Sequence, residues 1–202
     1  MELDSAREYE KYAWEFLRAR DRSAIGIDIT KQWAQSLDPG TDVLDIACGG
    51  GMPVTRTLTD AGLNIWAVDS SPTLVAEFRA RFPNIPVQCA RVQDSDFFER
   101  KFGAAISIGL LFLLDEKDQL ALIRSVSDIL VPGGRFLFTA PVEAGNWADR
   151  ITGHACRSLG RERYDRALQE SGFRLLGQYE DDGNNNHYDA ERIDGSALYR
   201  MA

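Results

Sequence analysis

The chain has 202 residues, 44% hydrophobic and 27% charged, which suits one globular domain with a sizeable core and is short for two. Its 23 basic and 31 acidic residues give a formal net charge of −8, which argues against nucleic acid as the main partner, because phosphate backbones are bound by clustered cations. No apolar run approaches the roughly 18 residues of a membrane span. The charged first residues show no signal-peptide pattern.

Three scattered cysteines, Cys48, Cys89 and Cys156, form no Cys-x-x-Cys pair. Their spacing indicates neither a disulfide framework nor a zinc site. We therefore expect a reducing, cytoplasmic location and no metal site.

Two helices are predicted before the first strand. Apolar residues at spacings of three and four predict a helix over 6–20, and a second helix over 24–37 ends at Pro39-Gly40. From there on, short apolar runs alternate with helical stretches. The predicted strands are Val43–Ala47, Asn64–Val68, Ile85–Ala90, Ala104–Ile108 and Arg135–Ala140. The predicted helices between them are 53–62, 72–82 and 117–130.

Strands that alternate with helices imply a doubly wound α/β fold, a mostly parallel sheet with helices on both faces. After the fifth strand, a helix over 164–171 leads into two runs, Phe173–Glu180 and His187–Glu191, that resemble an antiparallel hairpin. The tail 194–202 has no assignable element.

A glycine cluster follows the first predicted strand, where Val43–Ala47 runs through Cys48 into Gly49-Gly50-Gly51. Such a loop lets backbone N–H groups approach a ligand, with a helix N-terminus behind them. Asp69 ends the second strand, where a carboxylate can accept both hydroxyls of a ribose. Taken singly, the loop is also compatible with a tight turn and Asp69 with a helix cap. Together they favour a ligand of the adenosine type.

Two cofactor classes share this arrangement. A dinucleotide loop has the pattern G-x-G-x-x-G, but Val54 stands at its third small position and Pro53 beside it. Asp45, inside the first strand, is foreign to that pattern. The Tyr-x-x-x-Lys pair of short-chain dehydrogenases and the P-loop pattern are both absent from the sequence.

The chain resembles the class I S-adenosylmethionine-dependent methyltransferases at three motifs. Val43-Leu44-Asp45-Ile46-Ala47-Cys48-Gly49-Gly50-Gly51 is similar to their V-L-D-x-G-x-G-x-G segment, with Ala47 at the first glycine. Asp69 resembles their ribose-binding acid, and Leu130-Val131-Pro132-Gly133-Gly134 resembles the segment that leads into the fifth strand. The resemblance spans residues 42 to 190 and implies a seven-stranded sheet of order 3-2-1-4-5-7-6, which the predicted C-terminal hairpin fits.

The same resemblance implies S-adenosyl-L-methionine as the cofactor. Within 91–94, the Val92 backbone and the side chain of Gln93 or Asp94 would read the adenine edge, and Gly109 and Leu110 would face the methionine end. The expected cofactor site comprises Asp45, Ala47, Gly49, Gly51, Asp69, Ser70, Val92, Gln93, Gly109 and Leu110. Arg18, Arg20 and Arg22 are interpreted as solvated surface residues, with contact of one of them to the cofactor's carboxylate as the alternative.

Missing motifs narrow the methyl acceptor to a small molecule. After the fourth strand the chain lacks the [DNS]-P-P-[YF] motif of adenine- and cytosine-amino methyltransferases, and it contains no Pro-Cys pair for cytosine-C5 chemistry. Gly109 stands where a catechol-type enzyme would place a metal-binding aspartate. We expect a small-molecule acceptor, no nucleic-acid or membrane partner, no metal, and a monomer or homodimer.

The long segment after the fifth strand, 141–160, is predicted to act as a lid over the acceptor. It contains Trp147, for which acceptor contact and a packing role are equally favoured, and two candidate bases, Glu143 and His154. One domain over 1–202 is expected, with covering helices over 1–40, a cofactor-binding core over 41–140, and the lid, a helix and the hairpin over 141–202. An NAD-dependent oxidoreductase and a non-catalytic S-adenosylmethionine-binding protein remain the alternatives.

Overall fold

The computed structural model describes residues 9–149 and 152–194, in which strands alternate with helices as the apolar runs predict. The helices are α1 Ala13–Asp21, α2 Ile27–Gln35, α3 Val54–Asp60, α4 Pro72–Arg81, α5 Glu116–Ile129 and α6 Arg161–Glu170. The strands are β1 Asp42–Ile46, β2 Asn64–Asp69, β3 Val87–Cys89, β4 Phe102–Ser107, β5 Leu130–Thr139, β6 Gly145–Ala148, β7 Ala155–Ser158, β8 Phe173–Glu180 and β9 Asn186–Arg192.

Seven strands form one sheet in the order β3-β2-β1-β4-β5-β9-β8. Strands β1 to β5 are parallel, and β9 runs antiparallel to both β5 and β8. This confirms the predicted order 3-2-1-4-5-7-6. The last two strands have higher numbers here because β6 and β7 precede them as a separate two-stranded sheet.

Both faces of the sheet are buried, which explains why its central strands are continuous apolar runs. Successive residues of a strand point to opposite faces. Thus Val43 packs in the same cluster as Trp33 of α2, whereas Leu44 packs with Ile123 of α5. The indole N–H of Trp33 also donates to the buried carboxylate of Asp189 on β9 at 3.2 Å, which fixes α2 against the sheet.

Strands β3 and β5 begin away from their predicted first residues for identifiable reasons, and among the other predicted strands the bounds agree to within two residues. Strand β3 begins only at Val87, because Pro86 has no N–H and contributes just its carbonyl, which accepts from the Ala67 N–H at 3.0 Å. Strand β5 begins at Leu130, five residues early. Leu130 already pairs with Phe102, and the Pro132-Gly133-Gly134 turn is accommodated as a register shift before regular pairing resumes.

The predicted lid segment is a β-hairpin. Strands β6 and β7 pair antiparallel, with Trp147 opposite Cys156. Its base is fixed by Gln119 of α5, whose amide donates to the carbonyls of Leu114 and Arg157 at 2.8 and 2.9 Å. The segment after β5 is therefore a wall attached to α5.

Some sequence-based predictions lie outside the described residues, namely those for helix residues 6–8 and for the tail from residue 195. Within 9–149 and 152–194, no helix is long and apolar enough to cross a membrane. The same residues contain no cluster of three or more metal-binding side chains.

Candidate functional site

A cavity of about 520 Å³ lies at the carboxyl ends of β1, β2, β4 and β5, where open α/β sheets bind their ligands. Residues following each of these strands reach it, and α1 covers it from above. Its wall includes most of the predicted cofactor residues, namely Ala47, Asp69, Ser70, Val92, Gln93, Gly109 and Leu110.

Asp69 is held rigidly at the end of β2. One carboxylate oxygen accepts from the Gly49 N–H at 2.8 Å, and the other accepts from the Ser71 N–H at 2.9 Å. Burial raises the pKa of this carboxyl group, and the two N–H donors oppose that shift. Asp69 thus holds the glycine loop in place and also faces the cavity. It can therefore both stabilise the local backbone and bind a ribose.

The glycines of the loop are required by packing from neighbouring helices. A Cβ at Gly50 would lie 2.4 Å from a methyl group of Leu17, and a Cβ at Gly51 would lie 2.3 Å from the Phe82 ring. Neither Gly49 nor Gly51 is on the cavity wall, whereas Ala47 is, with φ of 60°. The space beside Gly50 is therefore filled by the side chain of Leu17, whereas from the sequence alone the glycines are explained by the close approach of a ligand to this loop.

The segment after β3 contributes one wall of the cavity. Val92 and Gln93 line it, and the Gln93 amide donates to Asp118 at the start of α5 at 2.7 Å. Asp94, the alternative adenine-contacting residue, is exposed and is not on the wall. Of the two polar candidates, the structure brings Gln93 to the cavity.

Asp45 lies beneath the cavity. It is buried, and the Thr55 hydroxyl donates to it at 2.6 Å. Burial, together with the charge of Asp69, raises the pKa of Asp45 to about 7. Asp45 is not on the cavity wall, where Ala47 and Asp69 lie at the ends of β1 and β2, and its contact with the cofactor stays a prediction.

A charged corner of the cavity is formed by Arg20 of α1 together with Asp181 and Asn185 of the β8–β9 turn. Burial lowers the pKa of Arg20, and Asp45 and Asp181 act on its guanidinium through their charges. Asp181 is fully engaged, because it accepts from His187 Nε2 at 3.0 Å and from the Asn185 N–H at 2.9 Å.

The favoured interpretation of three solvated arginines therefore fails for Arg20, while Arg18 and Arg22 are exposed. The sequence contains a signal that Arg20 is partly buried. Arg20 follows Phe16 by four residues and Leu17 by three, which places it on the same helix face as these two apolar side chains.

The end of β4 turns sharply into the cavity. Gly109 has φ of 82°, a left-handed conformation that favours glycine, and its N–H donates to the Thr139 hydroxyl of β5 at 2.7 Å. Gly109 and Leu110 then lead into one turn of 3₁₀ helix at Leu111–Leu113. Phe112 and Leu113 of that turn also line the cavity.

Besides the Asp69 end and the Arg20 corner, a third polar corner of the cavity lies where the β6–β7 hairpin meets the N-terminal helical residues. Asp149, just past β6, lines the cavity beside Tyr9, and the Tyr9 hydroxyl donates to Asp149 Oδ2 at 3.4 Å. The two residues are 140 positions apart in sequence, and no sequence pattern links them.

The hairpin's three predicted functional residues do not reach the cavity. Trp147 is 38% exposed and packs on Phe112, with ring centroids 5.6 Å apart, so it supports a wall residue from behind. Glu143 is exposed, and His154 is buried away from the wall. The hairpin pairing directs these side chains elsewhere, and of the hairpin residues that the structure describes, Asp149 lines the cavity.

A sheet of this order, with its cavity at the ends of β1, β2 and β4 and an acid at the end of β2, defines the class I methyltransferase fold. Residues 43–134 match the family model described as a methyltransferase domain. The chain thus has the class I methyltransferase fold, and its residues 43–134 are similar to a methyltransferase domain.

Curated relatives align with part of the chain. A ubiquinone biosynthesis O-methyltransferase from Xanthomonas campestris pv. campestris is 33% identical over 99 residues, which are 48% of this chain and 41% of that protein. The chain spans about half the length, or less, of the curated relatives it matches.

Solved structures share the fold over nearly the whole chain. A 1,6-didemethyltoxoflavin-N1-methyltransferase from Burkholderia thailandensis, with bound 1,6-didemethyltoxoflavin and S-adenosylhomocysteine, superposes with a TM-score of 0.73 at 17% identity, covering 96% of this chain and 93% of that one. The glycopeptide N-methyltransferase MtfA, complexed with S-adenosylhomocysteine, gives 0.68 at 21% identity, covering 85% and 92%.

Proposed function

We propose that this protein transfers a methyl group from S-adenosylmethionine to a small-molecule acceptor. One observation carries the proposal. Asp69, Val92, Gly109 and Arg20 come from four separate segments and line one cavity at the carboxyl ends of the strands. The similarity to O- and N-methyltransferases supports this activity.

The cavity's polar groups fit the parts of this cofactor. Asp69 supplies a carboxylate for the ribose hydroxyls, and the segment at Val92 supplies backbone and amide groups for the adenine edge. Arg20 supplies a half-buried positive charge in the same cavity as Gly109, suited to the carboxylate of the methionine end. Arg20 is half-buried, and Asp45 and Asp181 act on it through their charges without a side-chain hydrogen bond, so its place on the wall supports an anionic ligand group there.

When bound, S-adenosylmethionine supplies an activated methyl group: the acceptor's lone pair forms the new bond to carbon, and the electron pair of the broken carbon–sulfur bond stays on sulfur. The residues of this chain align the reactants and exclude water. Phe16, Leu110 and Phe112 give the cavity an apolar surface near the strand ends. The Asp69 carboxylate, fixed by two N–H donors, holds its position without reorganising.

The test is calorimetric binding of S-adenosylmethionine, S-adenosylhomocysteine and NAD to the wild type and to two variants. We expect both adenosyl ligands to bind and NAD not to bind. Asp69→Asn should weaken S-adenosylhomocysteine binding about 10- to 100-fold, because it removes a charge-assisted contact. Asp60→Asn, a change in an exposed carboxylate of α3, is the matched control and should bind normally.

The alternatives predict different results. Tight NAD binding without adenosyl binding would identify an oxidoreductase. Binding of S-adenosylmethionine without release of S-adenosylhomocysteine for any acceptor would identify a non-catalytic binding protein. Either result would overturn the proposed transfer reaction.

We also infer a cytoplasmic location, a single domain over 1–202, a monomeric or homodimeric state, and no nucleic-acid partner. The three cysteines are unpaired, which supports a reducing compartment. The net charge of −8 supports a partner other than nucleic acid.

A further inference from the structure

Three polar corners of the cavity can be distinguished, and the proposed function uses two of them. Asp69 and the Val92 segment take the nucleoside, and Arg20 takes the amino-acid end. The third corner, Tyr9 with Asp149, has no role in holding the cofactor. It adjoins Phe112 of the turn after β4, because Phe112 packs on Trp147 of the hairpin strand that leads to Asp149.

The contacts at this corner determine which groups donate hydrogen bonds and which accept them. Thr152 donates to Asp149 Oδ1 through its N–H at 2.7 Å and its hydroxyl at 2.8 Å, which holds the carboxylate in place. The Tyr9 hydroxyl donates to the other oxygen. Burial, and then the charge of Asp149, raises the pKa of Tyr9, so the phenol stays protonated. With its hydrogen committed to Asp149, the Tyr9 oxygen is an acceptor of hydrogen bonds.

The surroundings of this corner are apolar and largely aromatic. The Tyr9 ring meets the Phe16 ring edge-on, with centroids 5.8 Å apart. Phe16, Phe112 and Leu113 line the same cavity. Such a surface favours a flat, apolar body that stacks or packs on rings. A carboxylate has no hydrogen to donate to the Tyr9 oxygen, so an anionic group is disfavoured at the same place.

Resting on the proposed function, we propose that the methyl acceptor is a flat aromatic molecule whose neutral hydroxyl or amino group donates a hydrogen bond to the Tyr9 oxygen. Asp149 positions Tyr9 by accepting its hydrogen. The cavity thus selects acceptors by a donor group on an apolar ring and rejects aromatic carboxylates.

The test uses the protein saturated with S-adenosylhomocysteine and four matched probes: 2-naphthol, 2-naphthylamine, 2-methoxynaphthalene and 2-naphthoate. Ligand-observed NMR gives the affinity of each. We expect the hydroxyl and amino compounds to bind about fivefold or more tightly than the methyl ether, since the ether lacks the donated hydrogen. The carboxylate should bind most weakly.

Tyr9→Phe keeps the ring and removes the oxygen, so the preference for the hydroxyl compound over its ether should disappear. Tyr12→Phe makes the same chemical change in a residue absent from the cavity wall, and the preference should remain. Equal binding of naphthol and its ether by the wild type, strongest binding of the naphthoate, no binding of any probe, or an unaltered preference in Tyr9→Phe would overturn the assignment. S-adenosylhomocysteine affinity is measured first in every variant, so loss of the cofactor site, which would overturn the proposed function, is recognised separately.

Discussion

At the scale of single residues, Arg20 is the side chain whose environment most directly indicates a ligand. We expect Arg20→Met to lower the affinity for S-adenosylhomocysteine about 10- to 100-fold, because a charge-assisted hydrogen bond to the carboxylate is lost. The affinity for 5′-methylthioadenosine, which lacks the amino-acid end, should stay nearly unchanged. Calorimetry with the two ligands measures both effects.

The control for this comparison lies on the same helix. Arg18 is exposed, and its side chain donates to the Trp14 carbonyl at 3.3 Å, so Arg18→Met should bind both ligands as the wild type does. Equal loss of both ligands in Arg20→Met would mean that Arg20 supports the cavity generally and does not contact the carboxylate.

A second prediction for a single residue concerns Asp45 and the dependence of the free energy of unfolding on pH. Its pKa is raised by burial to about 7 in the folded protein, compared with about 4 in an unfolded chain. The folded state therefore holds a proton that the unfolded state has lost between these values, and this stabilisation is lost as the pH rises through 7. Between pH 5 and pH 8 the free energy of unfolding should fall by about 2 to 3 kcal/mol from this group.

Asp45→Asn removes the titration while its side-chain oxygen can still accept from Thr55. Urea unfolding gives the free energy of unfolding of both proteins at pH 5 and pH 8. The change between the two pH values in the wild type, minus the same change in Asp45→Asn, is the contribution of Asp45. We expect the variant to lose less stability than the wild type over this range. Identical losses would show that Asp45 does not titrate there.

At the scale of elements, the β6–β7 hairpin depends on one buried amide. Gln119 donates to the Arg157 carbonyl of the hairpin and to the Leu114 carbonyl just before α5, and its oxygen accepts from the buried Tyr164 hydroxyl at 2.7 Å. Gln119→Leu leaves these groups without a partner and should lower the free energy of unfolding by about 2 to 3 kcal/mol. Denaturant unfolding measures it.

Gln169→Leu is the matched control, because Gln169 is an exposed residue of α6. Its stability should stay within about 0.5 kcal/mol of the wild type. Faster amide exchange over Ala155–Ser158 in Gln119→Leu alone would locate the effect at the hairpin. A stable Gln119→Leu protein would show that strand pairing and Trp147 packing suffice to hold it.

At the scale of the whole molecule, α1 packs on the sheet layer through contacts with α4 and the glycine loop. Arg81 of α4 pairs with Asp21 through two bonds of 2.7 Å, and Glu10 accepts from the Thr73 hydroxyl at 2.7 Å. A ligand in the cavity would contact both α1 and the sheet, because Phe16 and Asp69 line the same space.

Binding of S-adenosylhomocysteine should therefore slow amide hydrogen exchange in α1, residues 13–21, more than in α6, which is remote from the cavity. Exchange followed by mass spectrometry, with and without the ligand, measures this difference. Uniform slowing in both helices would indicate global stabilisation only, and no slowing in α1 would mean that the ligand does not contact it.

The sequence by itself determined the alternation of strands with helices, the glycine loop and the place of Asp69. The alternation follows from local periodicity, and parallel strands joined by right-handed crossovers bring their carboxyl ends to one edge. The sheet order and the positions of Val92 and Gly109 at this edge were implied by the resemblance of the three motifs to class I methyltransferases.

Only the tertiary structure decided what completes the cavity. Tyr9 meets Asp149 across 140 positions, and Arg20 near the start of the chain shares a corner of the cavity with Asp181 near its end. Periodicity identifies the apolar face of a helix or strand, but it does not say which distant element packs on that face. The long segment after β5 became a hairpin directed at the N-terminal helical residues because α5 fixes its base through Gln119. That packing brings Asp149 to the cavity and leaves Glu143 and His154 outside it.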